Sequence, residues 1–361
     1  MTEIALLSSS SLPNRKPKLA IVLFNLGAPD SLQAVWPFLR NLFCDPAILR
    51  VPFFVRPLLG RVIARARVKQ ASENYALLGG KSPLLDLTQR QAKALAEALT
   101  EFEAQCFIAM RYWHPLSDAA ARQVLAFDPQ QILLLPLYPQ FSTTTTGSSL
   151  AAWHEAAARV GLAKPTTTLC CWYAHSSYIE SFAALVRKTL ADARRQLGPN
   201  VPMKLLFSAH GLPQSIVDAG DPYQFQIERT VENIVKALGP SDLDWEICYQ
   251  SRATPEKWLE PSTVDAIRKA AAERKAVVIA PVAFVSDHSE TLVELDIEYA
   301  KLAAECGVPG YFRVPALNDH PTFILALAEL VREAMKAGPG LYTKKGGCGC
   351  PPAFQKCPEF R

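Results

Sequence analysis

The sequence contains no long apolar run. No stretch of about 18 or more uncharged apolar residues occurs, so a transmembrane helix is not expected. Residues 1–17 hold only a short apolar patch at residues 4–7, followed by serines and by Pro13 and Pro17. Because this segment lacks the apolar core of a secretory signal peptide, we expect a flexible N-terminal arm on a cytoplasmic protein.

A strong excess of charge is also missing. The formal net charge is +4, from 38 basic and 34 acidic side chains, which is too small to favour nucleic acid as a partner. The hydroxyl-rich residues 143–150 lack the lysine and the glycine spacing of a Walker loop. They are typical of a helix start that is capped by its own side chains or that binds an anion.

Two halves of the chain repeat one order of motifs. The 361 residues, 49% of them hydrophobic, are enough for two domains with a large core. The repeated pairs are residues 18–26 and 204–210, 106–114 and 246–254, 131–150 and 276–295, and 170–185 and 315–330. Apolar runs that end in Gly or Pro alternate with helix-like stretches, which predicts parallel sheets with helices on both faces. The sequence therefore predicts an α/β protein of two similar lobes with a cleft between them.

The predicted division places an arm at residues 1–17, one lobe at 18–165, a second lobe at 166–335 and a cysteine-rich tail at 336–361. The tail holds Cys348, Cys350 and Cys357, while Cys170 and Cys171 end an apolar run. Clustered thiols in a reducing compartment favour metal or iron–sulfur ligation over disulfides. Three cysteines cannot complete a site that needs four ligands, so Cys170 or Cys171 is the candidate for the fourth.

His210 stands at the end of a mostly apolar run, residues 201–206, and Gly211 and Pro213 follow it. Ligands of open α/β sheets bind outside the carboxyl ends of the strands, and histidine exchanges protons near neutral pH. These two properties make His210 a candidate catalytic residue, with a structural role as the alternative.

An acidic row follows the apolar run of residues 276–284. Asp287, Glu290, Glu294 and Glu298 are spaced by three, four and four, which places them on one side of a helix. A solvated helix face explains this pattern most simply. Because the row starts at a strand end in the same half as His210, however, we expect both to face the cleft, where imidazole and carboxylates bind a divalent cation and accept protons.

The segment of residues 50–69 combines positive charge with apolar side chains. It carries six basic residues and no acidic one, and Phe53 and Phe54 lie among its apolar residues. Such a segment is typical of a peripheral membrane contact. A core helix with a solvated basic face is the alternative.

Eight short motifs occur in order from residue 18 to the C-terminus. They are Phe24-Asn25-Leu26-Gly27-Ala28-Pro29, Gly79-Gly80-Lys81-Ser82-Pro83, Arg111-Tyr112-Trp113-His114-Pro115, Tyr138-Pro139-Gln140, Thr146-Gly147-Ser148-Ser149-Leu150, Phe207-Ser208-Ala209-His210, Tyr249-Gln250-Ser251-Arg252 and Ser286-Asp287-His288-x-Glu290-Thr291-Leu292-x-Glu294-Leu295-Asp296. With these motifs the chain resembles the ferrochelatase family, whose members insert ferrous iron into a porphyrin to form haem.

The resemblance implies two similar Rossmann-like lobes around a porphyrin cleft. His210 matches the family's active-site histidine and Glu290 its essential carboxylate, and the ferrous iron would meet these two residues together with Glu294 and Asp287. The positions that match the porphyrin pocket are Arg67, Arg111, Tyr112, Trp258, Phe284 and His288. Arg65 is the alternative to Arg67, because it lies on the same basic run.

Some family members carry a [2Fe–2S] cluster held by three C-terminal cysteines and one internal cysteine. The resemblance implies such a cluster on Cys348, Cys350, Cys357 and Cys171, with Cys170 as the alternative to Cys171. A structural zinc ion in the tail is the competing interpretation.

The implied reaction is the insertion of ferrous iron into protoporphyrin IX, which yields protohaem and releases two protons. Coproporphyrin III is the alternative substrate, a cobalt chelatase is the rival enzyme, and a protein that binds a tetrapyrrole or metal without chemistry is the rival class.

The implied partners are porphyrin and ferrous iron, with peripheral contact to the inner membrane through residues 50–69, and no nucleic acid. The sequence leaves the oligomeric state open.

Overall fold

The structure is a computed structural model and describes residues 16–239, 243–252, 256–343 and 349–360. Its strands are β1 (Lys18–Asn25), β2 (Glu103–Met110), β3 (Gln131–Pro136), β4 (Thr166–Leu169), β5 (Met203–His210), β6 (Asp244–Gln250), β7 (Ala276–Pro281), β8 (Tyr311–Arg313) and β9 (Gly340–Tyr342). Its α-helices are α1 (Val35–Phe43), α2 (Arg56–Leu77), α3 (Leu84–Ala98), α4 (Ser117–Phe127), α5 (Ser148–Arg159), α6 (Ser176–Leu197), α7 (Gln214–Asp218), α8 (Tyr223–Leu238), α9 (Thr263–Ala272), α10 (Ala300–Glu305) and α11 (Pro321–Ala337).

The strands form two parallel sheets. The first has the order β2-β1-β3-β4-β9 and the second the order β6-β5-β7-β8. Strands β1 to β4 are thus arranged in the first sheet as β5 to β8 are in the second, which agrees with the repeat in the sequence. The predicted fold class, α/β with two parallel-sheet lobes, is confirmed.

In each lobe, the helix that follows the last repeated strand packs on the sheet of the other lobe. Helix α6 follows β4 of the first sheet but packs on β7 and β8, while α11 follows β8 of the second sheet and packs on β3 and β4. The last strand, β9, then pairs with β4. The predicted boundaries at 165/166 and 335/336 follow the repeat along the sequence, whereas β4 and β9 both belong to the first sheet. Hydrophobic periodicity identifies a strand but not the sheet it joins, which explains this difference.

The exchange creates one apolar core that both sheets share. Alternate residues of β1, such as Ile21 and Leu23, lie in this core together with Leu205 and Phe207 of β5. The other face of β1 packs under α4 and α5 in a separate cluster. Fully burying one such side chain stabilises the folded protein by about 1.5–3 kcal/mol of unfolding free energy. The shared core therefore fixes the two lobes, and the strand ends between them, relative to one another.

Helix α2 forms an exposed edge of the first lobe. It packs on α1 at Gly60, where a Cβ atom would lie 2.7 Å from the carbonyl oxygen of Phe43. Its outer face and the residues before it expose a set of apolar side chains that we call the apolar lip: Phe53 (79% exposed), Phe54 (71%), Leu58 (68%) and Val62 (57%). The segment thus has the solvated basic face of the alternative, with Gly60 and Ala64 buried, but the exposed apolar lip is not what a core helix predicts. No helix within the described ranges is sufficiently long and apolar to cross a membrane.

Candidate active site and thiol pocket

The backbone around His210 is held from three sides. His210 is the last residue of β5 and lies beside Gln250 of β6 in the parallel register. A Cβ atom at the next residue, Gly211, would lie 2.9 Å from the Gln250 carbonyl oxygen and 3.1 Å from the Trp258 ring. The hydroxyl of Tyr223, at the start of α8, donates to the His210 carbonyl oxygen over 3.0 Å. The imidazole therefore projects from a rigid strand end, as the sequence predicts.

His210 and Glu290 form a direct pair. The His210 Nδ1 atom lies 2.9 Å from Glu290 Oε2, and the two side chains remain 36% and 29% exposed. Burial by itself would lower the pKa of His210. The charge and hydrogen bond of Glu290 outweigh burial, so the pKa of His210 lies above the ordinary histidine value of 6.5. Burial opposes ionisation of Glu290, yet the charge and hydrogen bond of His210 lower its pKa to about 2. The pair therefore favours the imidazolium–carboxylate form.

The acidic row lies on a π-helical segment rather than on the expected α-helix. This segment, Glu290–Tyr299, follows β7, just as a shorter π-helical turn, Thr143–Gly147, follows β3 in the other lobe. π-Helical turns occur frequently at functional sites. Their wider turn changes which side chains share a face, so that Glu294 turns inward while Glu298 is exposed.

Glu294 is held by several donors. Its carboxylate accepts hydrogen bonds from the Ser251 backbone N–H (3.0 Å), the Ser251 hydroxyl (2.6 Å), the Tyr299 hydroxyl (2.6 Å) and the Gln250 amide (3.3 Å). Burial, followed by the charge of Glu290, raises the pKa of Glu294 above its usual value. Two carboxylates with opposite pKa shifts thus stand one turn apart beside one histidine.

Asp287 has different partners. Its carboxylate pairs with Arg313 Nη1 at 3.0 Å and accepts from Asn318 Nδ2 at 2.8 Å. These contacts hold Asp287 to the second lobe, and the structure assigns it no hydrogen bond to the His210–Glu290 pair.

His288 and Phe284 lie next to that pair. The His288 Nδ1 atom accepts the Glu290 backbone N–H over 3.0 Å, so the tautomer carries its proton on Nε2. Burial lowers the pKa of His288. The Phe284 ring meets the His288 ring edge-on at 4.4 Å and the His210 ring at 6.4 Å. An apolar ring therefore stands between two histidines.

Arg111 and Tyr112 are engaged inside the first lobe. The Arg111 guanidinium pairs with Asp45 Oδ2 at 2.8 Å, and its Nε donates to Ser148 Oγ at 2.6 Å. Tyr112 is fully buried, and its hydroxyl donates to the same Asp45 oxygen over 2.8 Å. The structure thus shows Tyr112 as a core residue whose surroundings would have to move before it could touch a ligand.

Trp258 and Arg67 lie in separate surroundings. Trp258 lines a cavity of about 310 Å³ together with Gly211, Tyr249 and Gln250. Arg67 lies on α2 with its guanidinium 5.7 Å from the centre of the Phe43 ring. Trp258 is therefore adjacent to the His210 strand end, whereas Arg67 belongs to the edge that carries the apolar lip.

Several residues of the site were missed from the sequence. Ser251 lies inside one of the motifs, which was a signal, but no role was assigned to it. Asp45 and Tyr223 carry no local signal, because each acts on a residue that other elements bring close. Tyr299 donates to Glu294 within the π-helical segment, which a regular α-helical reading does not predict. Asp45 in particular joins Arg111, Tyr112 and Ser148, which come from two further segments of the first lobe.

Buried cysteines lie near Gln226, in the same first turn of α8 that begins with Tyr223. Cys171, Cys350 and Cys357 are 9%, 6% and 0% exposed and share an apolar cluster with Phe141 and Tyr173. We call this group the thiol pocket. The Gln226 Nε2 atom donates to Cys350 Sγ at 3.2 Å and to Cys171 Sγ at 3.6 Å. Cys348 lies outside the described residues. Cys170, which is fully buried, lies in the same cluster, so the structure brings both candidate internal cysteines together with the tail.

Comparison with known proteins places this architecture in a family. A family model named Ferrochelatase matches residues 18–335. The chain is 51% identical over 345 residues to the ferrochelatase of Caulobacter vibrioides, covering 94% of this chain and 97% of the relative. It is 50% identical over 345 residues to that of Phenylobacterium zucineum and 43% identical over 347 residues to that of Pelagibacter ubique, with similar coverage.

A solved structure, SirB from Bacillus subtilis with Fe3+, aligns with 89% of this chain and 97% of its own, at 13% identity and a TM-score of 0.51. At that identity the likeness concerns the fold alone. The family model and the relatives cover nearly the whole chain, and the chain belongs to the ferrochelatase family.

Proposed function

We propose that this protein inserts ferrous iron into protoporphyrin IX, forming protohaem and releasing two protons. Family membership supports the reaction class. The observation that carries the proposal within the structure is the His210–Glu290 pair at the carboxyl end of β5, 2.9 Å apart and partly open to solvent. An imidazole and a carboxylate in direct contact combine a proton acceptor with ligands for a divalent cation.

The chemistry requires that two pyrrole N–H protons leave as the metal enters. When the His210 ring is neutral and Glu290 is ionised, the ring accepts a proton at Nε2, because Nδ1 is engaged with Glu290. The Glu290 carboxylate then stabilises the imidazolium that forms. Binding contacts far from the metal can hold the porphyrin ring out of plane, which exposes its nitrogen lone pairs to the iron.

The carboxylates divide into two groups by their surroundings. Glu290 and Glu294 interact electrostatically with His210, which fits them to pass protons onward or to hold the entering ferrous iron. Glu294, with its raised pKa, is the better proton carrier of the two. Asp287 is paired with Arg313 and Asn318, so its proposed part in iron delivery is indirect.

The same geometry supports the proposed porphyrin contacts. Phe284, His288 and Trp258 lie around the His210 strand end and would provide the apolar surface for the macrocycle. Arg67 would pair with a propionate group. Arg111 is already paired with Asp45, and Tyr112 is fully buried, so both would act by shaping the first lobe.

The thiol pocket fits a [2Fe–2S] cluster, which supplies the ability to take up and release one electron. Cys171, Cys350 and Cys357 are buried among aromatic rings, and Gln226 contributes an amide donor toward the sulfurs. Cys348 would complete the four ligands. Because Gln226 touches Cys171 and Cys350 alike, Cys171 is preferred to Cys170 as the internal ligand. Visible absorption and an EPR signal after reduction would distinguish this cluster from a zinc ion.

The apolar lip would place the protein peripherally on the inner membrane from the cytoplasmic side. Phe53, Phe54 and Leu58 are exposed beside Arg61 and Arg65, which are also exposed. Apolar side chains next to positive charge bind to the interface of an anionic bilayer.

The test is the anaerobic loss of protoporphyrin IX fluorescence after ferrous iron is added, with coproporphyrin III measured in parallel. We expect catalytic loss with protoporphyrin IX. Turnover with coproporphyrin III alone would change the substrate, and turnover with cobalt and a cobalamin precursor alone would assign a cobalt chelatase. Tight porphyrin binding without turnover would refute an enzymatic function.

A further inference from the structure

The side chain of Gln226 joins the thiol pocket to the loop that follows β3. It lies in the first turn of α8 and is fully buried. Its Oε1 atom accepts the backbone N–H of Phe141 over 2.7 Å. Its Nε2 atom donates to Cys350 Sγ at 3.2 Å and to Cys171 Sγ at 3.6 Å.

These contacts fix the orientation of the amide. A backbone N–H can only donate, so the group that faces Phe141 must be the oxygen of Gln226. If the amide were flipped, its NH₂ group would oppose that N–H and the oxygen would oppose the sulfurs. The two N–H bonds of the amide are therefore available for two sulfur atoms, one from the internal cysteine and one from the tail.

We propose that Gln226 is a positioning residue that raises the reduction potential of the iron–sulfur cluster and holds Cys171 and Cys350 within hydrogen-bonding distance of one amide nitrogen. This inference rests on the [2Fe–2S] cluster suggested above. Reduction adds one electron to the cluster and breaks no bond. The added electron makes the sulfurs more negative, which strengthens each N–H···S hydrogen bond and so favours the reduced form.

The buried environment of the Gln226 amide strengthens its influence on the reduction potential. Phe141, Tyr173 and the cysteines that surround the amide are all buried, which lowers the local dielectric and strengthens each hydrogen bond. The Phe225 ring, adjacent to Gln226 on α8, packs against the Phe354 ring of the tail in a tilted arrangement, with their centres 5.3 Å apart. The first turn of α8 is thus fixed against the tail, so the amide keeps its place when the charge of the cluster changes.

The experiment compares the purified full-length protein with Gln226→Leu and Gln226→Glu by EPR-monitored redox titration with dithionite. Leucine removes both donors. Glutamate keeps an acceptor for the Phe141 N–H but sets a negative charge against the sulfurs. Gln224→Leu is the matched control, because Gln224 lies on the same helix and donates to Glu228 instead.

We expect the midpoint potential to fall in the order wild type, Gln226→Leu, Gln226→Glu. At the wild-type midpoint the ratio of reduced to oxidised cluster should fall about tenfold in Gln226→Leu, and Gln224→Leu should match the wild type. An unchanged potential in a cluster-loaded Gln226→Leu would overturn the inference. A wild-type protein without cluster absorption or EPR signal would instead refute the proposed cluster.

A measurement on the wild type covers the case in which neither variant retains a cluster. With the side-chain amides of glutamine labelled with ¹⁵N, pulsed EPR of the reduced protein should detect a coupling between the electron spin and an amide nitrogen. The absence of any such coupling would also overturn the inference.

Discussion

The hydroxyl of Tyr223 donates a hydrogen bond to the backbone carbonyl of His210 over 3.0 Å, and three residues later on the same helix Gln226 contacts the thiol pocket. The first turn of α8 therefore touches both the candidate catalytic histidine and the candidate cluster. Asp221, just before α8, accepts the Tyr223 backbone N–H over 3.0 Å and fixes where this turn begins.

His210→Ala should abolish iron insertion without unfolding the protein. Loss of a proton acceptor typically costs about a hundredfold or more in rate. The side chain is 36% exposed, so its removal leaves the core intact. The measurement is anaerobic fluorescence loss of protoporphyrin IX alongside a thermal melt. His154→Ala, an exposed histidine on α5, is the control and should keep normal turnover. Normal turnover of His210→Ala would remove His210 from the mechanism.

The pH dependence of the His210–Glu290 pair has a defined sign. Because Glu290 raises the pKa of His210, the imidazole should titrate above 6.5 in an NMR experiment with ¹⁵N-labelled histidine. In Glu290→Gln the burial remains while the charge is lost, so the pKa of His210 should fall below its wild-type value. A titration unchanged by this substitution would contradict the ion pair.

The same pair contributes to stability in a pH window. The His210 contribution is fully present below its unfolded pKa near 6.5 and disappears as the pH rises through the raised folded value. The Glu290 contribution is present above 4.5 and disappears as the pH falls toward 2. The difference in melting temperature between wild type and Glu290→Gln should therefore be largest between about pH 4.5 and 6.5 and shrink on both sides.

Cys357→Ser should lose the iron–sulfur cluster. Cys357 is fully buried in the thiol pocket, where a serine hydroxyl is a poor replacement for a thiolate ligand. The visible absorption bands and the EPR signal of the reduced protein should both disappear. Cys306→Ser, a cysteine at the end of α10, should leave both unchanged. An unaltered visible spectrum in Cys357→Ser would refute its role as a ligand.

Asp221→Ala should destabilise the protein by about 3 kcal/mol, because it leaves buried donors without an acceptor. The carboxylate is fully buried and accepts from the Thr143 N–H and hydroxyl at 2.7 Å each and from the Ser142 hydroxyl at 3.1 Å. Urea unfolding measures the change. Asp218→Ala is the control, because within the described residues the Asp218 carboxylate accepts a hydrogen bond only from the Gln214 amide, at the protein surface. Equal stability of Asp221→Ala and Asp218→Ala would contradict the role of Asp221 as the acceptor for these buried donors.

Replacing Phe53 and Phe54 with Asp should weaken binding to anionic vesicles while leaving the melting temperature unchanged. Both rings are more than 70% exposed, so little core packing is lost. Sedimentation with vesicles that contain phosphatidylglycerol measures the bound fraction. Leu325→Asp on α11, where the side chain is 61% exposed, is the control for a surface apolar residue elsewhere. Equal binding by both variants would refute the apolar lip as the membrane contact.

Much of the fold is encoded locally. Continuous apolar runs ending in Gly or Pro predict buried parallel strands, and the four repeated motif pairs correspond to the matching strand orders of the two sheets. The sequence also placed His210 at a strand end and the acidic row after β7, because a strand end depends on the residues around it. It could not show that this row is π-helical, because the hydrogen bonds of Glu294 to Gln250 and Ser251 come from a segment more than 40 residues away in the chain.

The tertiary structure alone decided which distant residues meet. Periodicity does not reveal that α6 and α11 exchange lobes, because either sheet could bury their apolar faces. The contact of Gln226 with the Cys171 sulfur joins residues 55 positions apart in the chain. The sequence by itself determined the strands, the helices and the chemistry available at their ends. Packing determined which of those chemical groups stand within hydrogen-bonding distance, because pairing over such separations is fixed only when the shared core brings the elements together.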